Sequence, residues 1–487
     1  MSIRGYKYVC GVLFLAILCL NSFARQSGSE TTSSFRDTTV QPELLPPPDV
    51  SVSSSPFIIG EIVIQGNKRT KPYIISRELP YKEGDSVILS ELLKGFEVAR
   101  IQLMNTALFN DVVVAVKSFR GYFVDILITV KERWYIFPIP YLKPVDRNIS
   151  EWAKQGYGMD RLNYGFKFTY YNFTGRNDKL RMWLITGYTR QIQFQYDQPY
   201  ADQTLKHGYR IGFSYSTNRE VNYTTEGNQQ TFIDSLSNIR RWHASLEYTY
   251  RPGLRTFHGL RLGFTQQVVD STVVILNPKY FGSGKSRLTY PEIEYTIRYI
   301  NVDYLPFPLT GWMGELSLMR RGLQKDMDMW QLAGKVTKGW KIASKTYFTW
   351  QGHVIVRAPF EQPYINQRMF GYGDLYLRGL EKYVVDGVAA FMTRNTFRRE
   401  LFRFSIPTYL RSATHDRIPF TIYARTFADI GYSHNPYYTS NSLTNRMLYT
   451  GGLGIDVKTF YDFILRFDYS FNQLGQKGLF LHVKNDF

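Results

Sequence analysis

The sequence predicts a transmembrane β-barrel of about 16 antiparallel strands preceded by one small α+β domain. Three observations predict it. Short runs alternate apolar and polar residues through most of residues 134–487. Aromatics make up 16% of the chain, with Tyr and Phe far more numerous than Trp, as expected where aromatic girdles meet a membrane surface. Beyond the first two dozen residues, no apolar run reaches the roughly 18 that a spanning helix needs. Alternation alone would also suit a soluble sandwich, so the elements decide.

Residues 1–24 have the organisation of a secretory signal. Arg4 and Lys7 form a charged start, Val9 to Leu20 an apolar core, and Ser22-Phe23-Ala24 a small-x-small cleavage site. The rival is a lipoprotein signal at Cys19, but Leu18 before it is bulky for that role. Both cysteines, Cys10 and Cys19, fall inside this segment, so the expected mature chain has no thiol chemistry. Residues 25–56 are rich in Ser, Thr and Pro and read as a disordered tether.

Residues 57–133 are compact and mixed. Phe57 to Gln65 predicts a strand, Gly66-Asn67 a turn, Thr70 to Leu79 a short helix, and Ser90 the cap of a helix reaching about Ala107. Asp111 to Lys117 and Phe123 to Lys131 predict strands joined by a tight turn at Arg120-Gly121. The expected order is β-α-α-β-β. Ile64-Gln65-Gly66-Asn67, the run Asn105 to Val112, and Ile128-Thr129-Val130-Lys131-Glu132 resemble a POTRA domain, the periplasmic module of the BamA/TamA family of outer-membrane barrels. The resemblance implies strand addition of clients at an edge, here carried by Gly66, Asn67 and Val113.

Residues 134–487 predict the barrel. Tyr164, Phe166, Phe168 and Tyr170 alternate with Gly165, Lys167 and Thr169. Ile192, Phe194 and Tyr196 alternate with glutamines, and Tyr209, Ile211, Phe213 and Tyr215 with small or polar residues. At roughly 20–22 residues per strand and connection, the segment holds about 16 strands. Near the C-terminus, Leu465, Phe467, Tyr469 and Phe471 share a face against Ile464, Arg466, Asp468 and Ser470. Leu479, Leu481, Val483 and Phe487 form a similar row.

Within the barrel, Phe370 to Leu380 contains Leu377-Arg378-Gly379-Leu380. This resembles the BamA/TamA loop motif of apolar-Arg-Gly-aromatic, with Leu380 in place of the aromatic. In that family the loop folds into the barrel and its Arg meets the wall. Period two in Thr421 to Tyr432 puts Ile422, Ala424, Ala428 and Ile430 toward lipid and Tyr423, Arg425, Phe427 and Asp429 toward the lumen. Phe427, Asp429 and Gly431 match the family's F-x-D-x-G wall strand, which implies an Arg378–Asp429 contact. The alternative is a local pair of Asp429 with Arg425. Tyr171 to Asp178, Asp197 to Tyr200, and Asp303 with Pro308 to Gly311 resemble the family's turns and strand ends. The first strand (near Trp134, Tyr135 to Leu142) and the last (Leu479 to Phe487, including Phe480 and His482) are expected to form a lateral seam.

The formal charge of +18 is spread along strands and turns without a Lys/Arg block, which suits lumen and loops and argues against nucleic acid. Gly282-Ser283-Gly284-Lys285-Ser286 mimics the end of a phosphate-binding loop, but position 279 is Lys279 where glycine is required. The histidines have no metal spacing, and His415-Asp416 sits in a turn. No metal, no cofactor and no enzymatic activity are expected. The resemblance implies an assembly or translocation factor in the outer membrane of a Gram-negative bacterium, with the POTRA domain in the periplasm. Its expected partners are unfolded outer-membrane or secreted polypeptides and outer-membrane lipids, with lipopolysaccharide and lipoproteins as further candidates. Two alternatives stand beside it: a polypeptide-secretion pore of two-partner type, and a passive porin-like channel.

Overall fold

The structure is a computed structural model, and it describes residues 56–144, 162–233, 239–324, 327–407, 417–437, 441–459 and 461–482. The expected signal segment, the tether up to residue 55, His415-Asp416 and Phe487 lie outside these residues.

The N-terminal domain runs β1 (Phe57–Gln65), α1 (Pro72–Ser76), β2 (Ser86–Val87), α2 (Leu89–Asn105), β3 (Phe109–Arg120) and β4 (Phe123–Glu132). Its sheet has the order β2-β1-β4-β3, with β1 and β4 parallel and the other pairs antiparallel. Gly66 ends β1 with φ +90°, and a Cβ there would lie 2.0 Å from the Val130 carbonyl oxygen, so only glycine fits the turn. Ile74, Ile75, Leu92, Leu103, Leu108, Phe109, Ile126 and Ile128 fill the core between helices and sheet. Each such side chain contributes about 1.5–3 kcal/mol by burial.

Three boundaries differ from expectation. The expected helix Thr70 to Leu79 contracts to α1, because the Arg69 and Thr70 amides donate to the Glu132 carboxylate at 3.0 and 2.7 Å. Pro72 then starts the helix, where its missing N–H costs nothing. Ser90 lies inside the first turn of α2; the N-cap is Ile88, in extended conformation and without a side-chain cap. The two-residue β2 adds a strand that no periodicity could reveal; Ser86 and Val87 pair with Ile58 and Phe57.

The second part is one sheet of 16 strands, β5 (Ile136–Pro144), β6 (Leu162–Tyr171), β7 (Lys179–Gly187), β8 (Thr189–Gln198) and β9 (His207–Asn218) coming first. A separate hairpin, β10 (Val221–Glu226) with β11 (Gln229–Ile233), precedes β12 (Ile239–Tyr250) and β13 (Thr256–Val268). The short helix α3 (Ser271–Leu276) leads to β14 (Arg287–Val302), β15 (Gly311–Gln324), β16 (Met327–Ala343) and β17 (Thr346–Ala358). A small pair, β18 (Arg368–Phe370) with β19 (Val385–Asp386), sits in the long connection to β20 (Ala389–Pro407). β21 (Arg417–His434), β22 (Met447–Lys458), β23 (Ile464–Asn472) and β24 (Lys477–His482) complete the wall. Every neighbouring pair is antiparallel, and the expected 16-strand barrel is what the structure shows.

The alternation read from the sequence decides the faces. On β23, Phe467, Tyr469 and Phe471 are exposed on the outer wall while Ile464, Arg466, Asp468 and Ser470 are buried inside. On β21, Tyr423, Arg425, Phe427 and Asp429 point inward. The backbone polar groups of a wall in lipid must pair within the sheet, which is why the strands come as one continuous ladder. β5 to β8 have 9 or 10 residues, whereas β20 and β21 have 19 and 18. β7 and β8 are joined by Tyr188 alone.

Candidate functional site

The connection between β17 and β20 folds inward at the barrel end distal to the N-terminal domain. Met369, Phe370, Leu377 and Leu380 pack there on Ala390, Met392 and Leu448 of the wall. This apolar cluster carries Arg378 to the inner faces of β20 and β21. The Arg378 backbone amide donates to Asp429 Oδ2 at 3.1 Å, and its Nε donates to the same oxygen at 2.9 Å. Nη2 donates to Asp429 Oδ1, completing a bidentate pair, and Nη1 donates to Thr396 Oγ1 at 2.9 Å. The guanidinium lies 4.2 Å from the Phe427 ring centroid. Gly379 follows with φ +95°, against the Phe471 carbonyl and Ser470. Gly431 leaves room for Leu377, whose methyls would sit 3.2 Å from an added Cβ.

Two further carboxylates organise the wall. Asp456 accepts from Arg398 at 3.0 Å and lies 3.1 Å from Arg425, and Arg425 also pairs with Asp468. Arg425 therefore bonds away from Asp429, which leaves Asp429 to Arg378. The same loop reaches the last strand. Tyr376 stacks on His482 at 5.5 Å, Glu381 lies 3.4 Å from His482 Nε2, and Asn472 donates to the Gly379 carbonyl at 2.7 Å.

Among the described residues, no ladder joins β5 to β24. The start of the first strand is held by side chains of the β22–β23 turn. Arg133 pairs with Asp462 at 2.6 Å, the Trp134 amide donates to Tyr461 Oη at 3.2 Å, and Phe137 packs edge-on to Tyr461 at 5.6 Å.

At the proximal end the N-terminal domain docks on the barrel turns. Arg69 donates to the Asn172 carbonyl at 2.9 Å, and the Lys71 amide to Gly175 at 3.0 Å. Arg77 donates to the Leu205 carbonyl at 2.6 Å. Glu78 is buried between Arg251, a bidentate partner, and the Tyr200 hydroxyl, which donates at 3.1 Å. Burial pushes the Tyr200 hydroxyl up to about 12, which keeps it a donor. Asn105 closes the other side through Val302 and Leu305, at 3.1 and 2.9 Å. A cavity of about 240 Å³ remains between Gln102, Asn105, Lys179 and Glu247. Among the described residues, no group of acidic, His or Cys side chains could hold a metal ion.

Residues 57–133 match the family model described as POTRA, surface antigen variable number repeat. Residues 57–133 are a POTRA domain. Among solved structures, BamA from Haemophilus ducreyi lacking POTRA domains 1-3 is 16% identical, covering 88% of this chain and 84% of that one, with a TM-score of 0.50. CdiB from Escherichia coli is 11% identical, covering 87% and 75%, with a TM-score of 0.52. No curated protein matches the sequence. At these identities the likeness is one of fold: a POTRA domain joined to a β-barrel.

Arg378, Asp429, Phe427, Leu377 and Gly431 come together at one point. Within the POTRA domain, Val113 lies on β3, an edge strand among the described residues, and is 51% exposed; Gly66 and Asn67 close the turn after β1. Trp134 lies just before the first strand, and Phe480 and His482 lie on the last. Tyr135 does not belong to the seam. It is buried on the POTRA core, its hydroxyl donating to the Leu108 carbonyl at 3.0 Å, because its side chain points opposite to those of Trp134 and Ile136. The first strand begins at Ile136 rather than Trp134 and ends at Pro144. Sequence reasoning missed Glu78, Tyr200 and Arg251, whose positions 78 and 251 are 173 apart. It also missed the prolines of β5, whose signal was open to view: Pro138, Pro140 and Pro144 all fall on even-numbered positions, with Leu142 between the last two.

Proposed function

We propose that this protein inserts or translocates polypeptide chains at the outer membrane of a Gram-negative bacterium, with its POTRA domain in the periplasm. The observation that carries this reading is the junction between β5 and β24, which no ladder closes among the described residues, in a barrel braced by Arg378 at β20 and β21. An unpaired edge within a barrel wall is a template for another strand. The β3 edge of the POTRA domain offers a first capture point, where backbone bonds give affinity without a sequence requirement. The Arg378 loop is the brace: its bonds to β21 and β20, three and four strands in from β24, hold that part of the wall while the seam changes. Polypeptides are the clients; outer-membrane lipids surround the barrel, and lipopolysaccharide and lipoproteins are candidate partners. The reading assigns no catalytic step and no cofactor.

The experiment is reconstitution in liposomes with urea-unfolded barrel clients, followed by heat-modifiable mobility on gels. Accelerated client folding over empty liposomes, lost on Arg378→Ala, is the expected result. Steady ion conductance with no acceleration would favour a secretion pore or passive channel. The loop packed inside the distal wall and the POTRA domain docked on the proximal turns both weigh against a permanently open pore.

A further inference from the structure

The outer wall of β15, β16 and β17 carries a depression that no side chain fills. Cross-strand register places Trp312, Lys338 and Trp350 side by side on the three neighbouring strands. The next row away from the proximal rim is Gly314, Val336 and Gly352, and the row beyond it is Leu316, Gly334 and Val354. Side chains alternate faces along a strand, so these rows share one face. Leu316, Val354 and the neighbouring Phe391 on β20 are 49%, 44% and 40% exposed, whereas Met313 and Thr337, on the opposite face, are fully enclosed. The rows therefore lie on the outside of the barrel.

The glycines make the floor. An added Cβ would stand 3.2 Å from a Val336 methyl at Gly314 and 3.1 Å from a Val354 methyl at Gly334. At Gly352 it would stand 2.8 Å from the Trp350 indole, which leans across that glycine. Glycine inside a strand gives up packing, and it marks a bulge, a bend or a close approach by another group. The register through these positions is unbroken, so no bulge accounts for them. The result is a groove of about 540 Å³, bounded by Tyr299, Leu316, Val354, Phe391 and the two tryptophans. Ligand clefts span roughly 300–1,000 Å³.

At the proximal end of the groove the chemistry changes. Lys338 stands between Trp312 and Trp350, its ammonium 5.8 Å from the Trp340 ring, and among the described residues no carboxylate pairs with it. Arg320, distal on the same face, is provided for: it pairs with Asp328 and lies 5.1 Å from the Trp330 ring. Neither the Trp312 nor the Trp350 indole N–H meets an acceptor among the described residues. One cation and two unspent donors thus share a level on a wall that is otherwise apolar. Lysine and tryptophan at such a level suit a membrane surface, the aliphatic stem in hydrocarbon and the polar end among headgroups.

We propose that this groove binds one phospholipid of the proximal leaflet and prefers an anionic headgroup. Its phosphate sits on Lys338 between the two indoles, and one acyl chain runs over Gly314, Val336 and Gly334 toward Phe391. The face is turned to hydrocarbon, which supplies acyl chains. The uncompensated cation at the proximal end selects a head with net negative charge. The chain restores the dispersion contacts that the glycines forgo. Binding here requires a bilayer around the barrel and is independent of what the barrel does to polypeptides.

The test reconstitutes the full chain in phosphatidylcholine liposomes with a minor fraction of phosphatidylglycerol carrying a diazirine in one acyl chain. After illumination, mass spectrometry locates the adducts. The control wall is the exposed apolar patch of Leu246, Leu260 and Leu262 on β12 and β13. Attraction by one basic residue at a membrane surface corresponds to about fivefold, so adducts on Leu316, Val336, Val354 and Phe391 should exceed control adducts by at least about that factor. A phosphatidylcholine probe should show a smaller excess. Lys338→Gln should lower groove adducts about fivefold and leave control adducts unchanged. Gly334→Leu fills the floor and should lower them with Lys338 in place; Gly314→Ala is the milder filling variant. Heat-modifiable mobility establishes that each variant is folded. Equal labelling of groove and control, equal labelling by the two headgroups, or unchanged labelling in Lys338→Gln would overturn the proposal. Groove labelling in liposomes that do not accelerate client folding would leave the lipid site standing and remove the insertase reading.

Discussion

Replacing Arg378 by alanine strands Asp429 inside the barrel with its charge unmatched. Breaking a buried ion pair by removing one partner costs about 3–5 kcal/mol. The loop between β17 and β20 should become cleavable by added protease while the barrel stays heat-modifiable. Asp429→Ala in the same background should restore part of the loss, because it removes the orphaned charge. Asp125 allows a test outside the membrane. Arg120, then the Glu61 amide and the Ser118 hydroxyl, hold its carboxyl well below the usual carboxylate range. A carboxylate depressed in the folded state stabilises it above its unfolded pKa of about 3.9 and loses that contribution as pH falls below this value. Protection of the β1 and β4 amides, taken relative to their intrinsic exchange at each pH, should therefore fall as the pH drops below about 3.9, and Asp125→Asn should flatten that dependence. At this scale, Arg378 and Asp429 were legible because period two fixed the face of Asp429 and a motif singled out Arg378. Glu78 and Arg251 were not, because neither sits in a pattern and only the docked domains bring them together.

Elements were legible in proportion to their length and regularity. The barrel strands announce themselves by alternation, but α1 shrank because a carboxylate sixty-odd residues away, Glu132, claims the amides before it. Ser90 looked like a cap because its residue type favours caps, yet the chain turns into α2 two residues earlier. The β3 edge supports a prediction of its own. Val113→Lys places a charge on the exposed face beside an open edge, a common natural defence against strand addition. Capture of an unfolded client by the full chain should fall severalfold, measured by cross-linking from β3. The thermal transition should remain within about 0.5 kcal/mol of the parent, as for surface substitutions generally.

At the level of the whole molecule, the POTRA domain is bound to turns spread around the proximal rim, at 172–178, 199–206, 251–255, 303–310 and 461–463. Glu78→Ala would leave Arg251 buried without its partner and loosen this attachment. Spin-label distances between POTRA domain and barrel should broaden, and single-channel conductance should rise as the proximal opening is uncovered. The strand count was readable from length and alternation, whereas the docking was not, since it joins turn backbones to helix ends that carry no recurring pattern.

The joining of β7 to β8 through Tyr188 alone fixes how tall the wall is beside the seam. A strand of 9 residues, tilted by about 45°, rises only about 20 Å. A typical hydrocarbon core is about 30 Å thick. A strand of 9 or 10 residues is at the short end of what spans a bilayer, so acyl chains next to β7 and β8 meet a lower wall than those beside β20 and β21. The expected consequence is a gradient of bilayer thickness around the circumference, lowest near β7 and β8. Its activity should rise in liposomes of short-chain lipid and fall as the chains lengthen, and the deformed annulus itself becomes part of the machine.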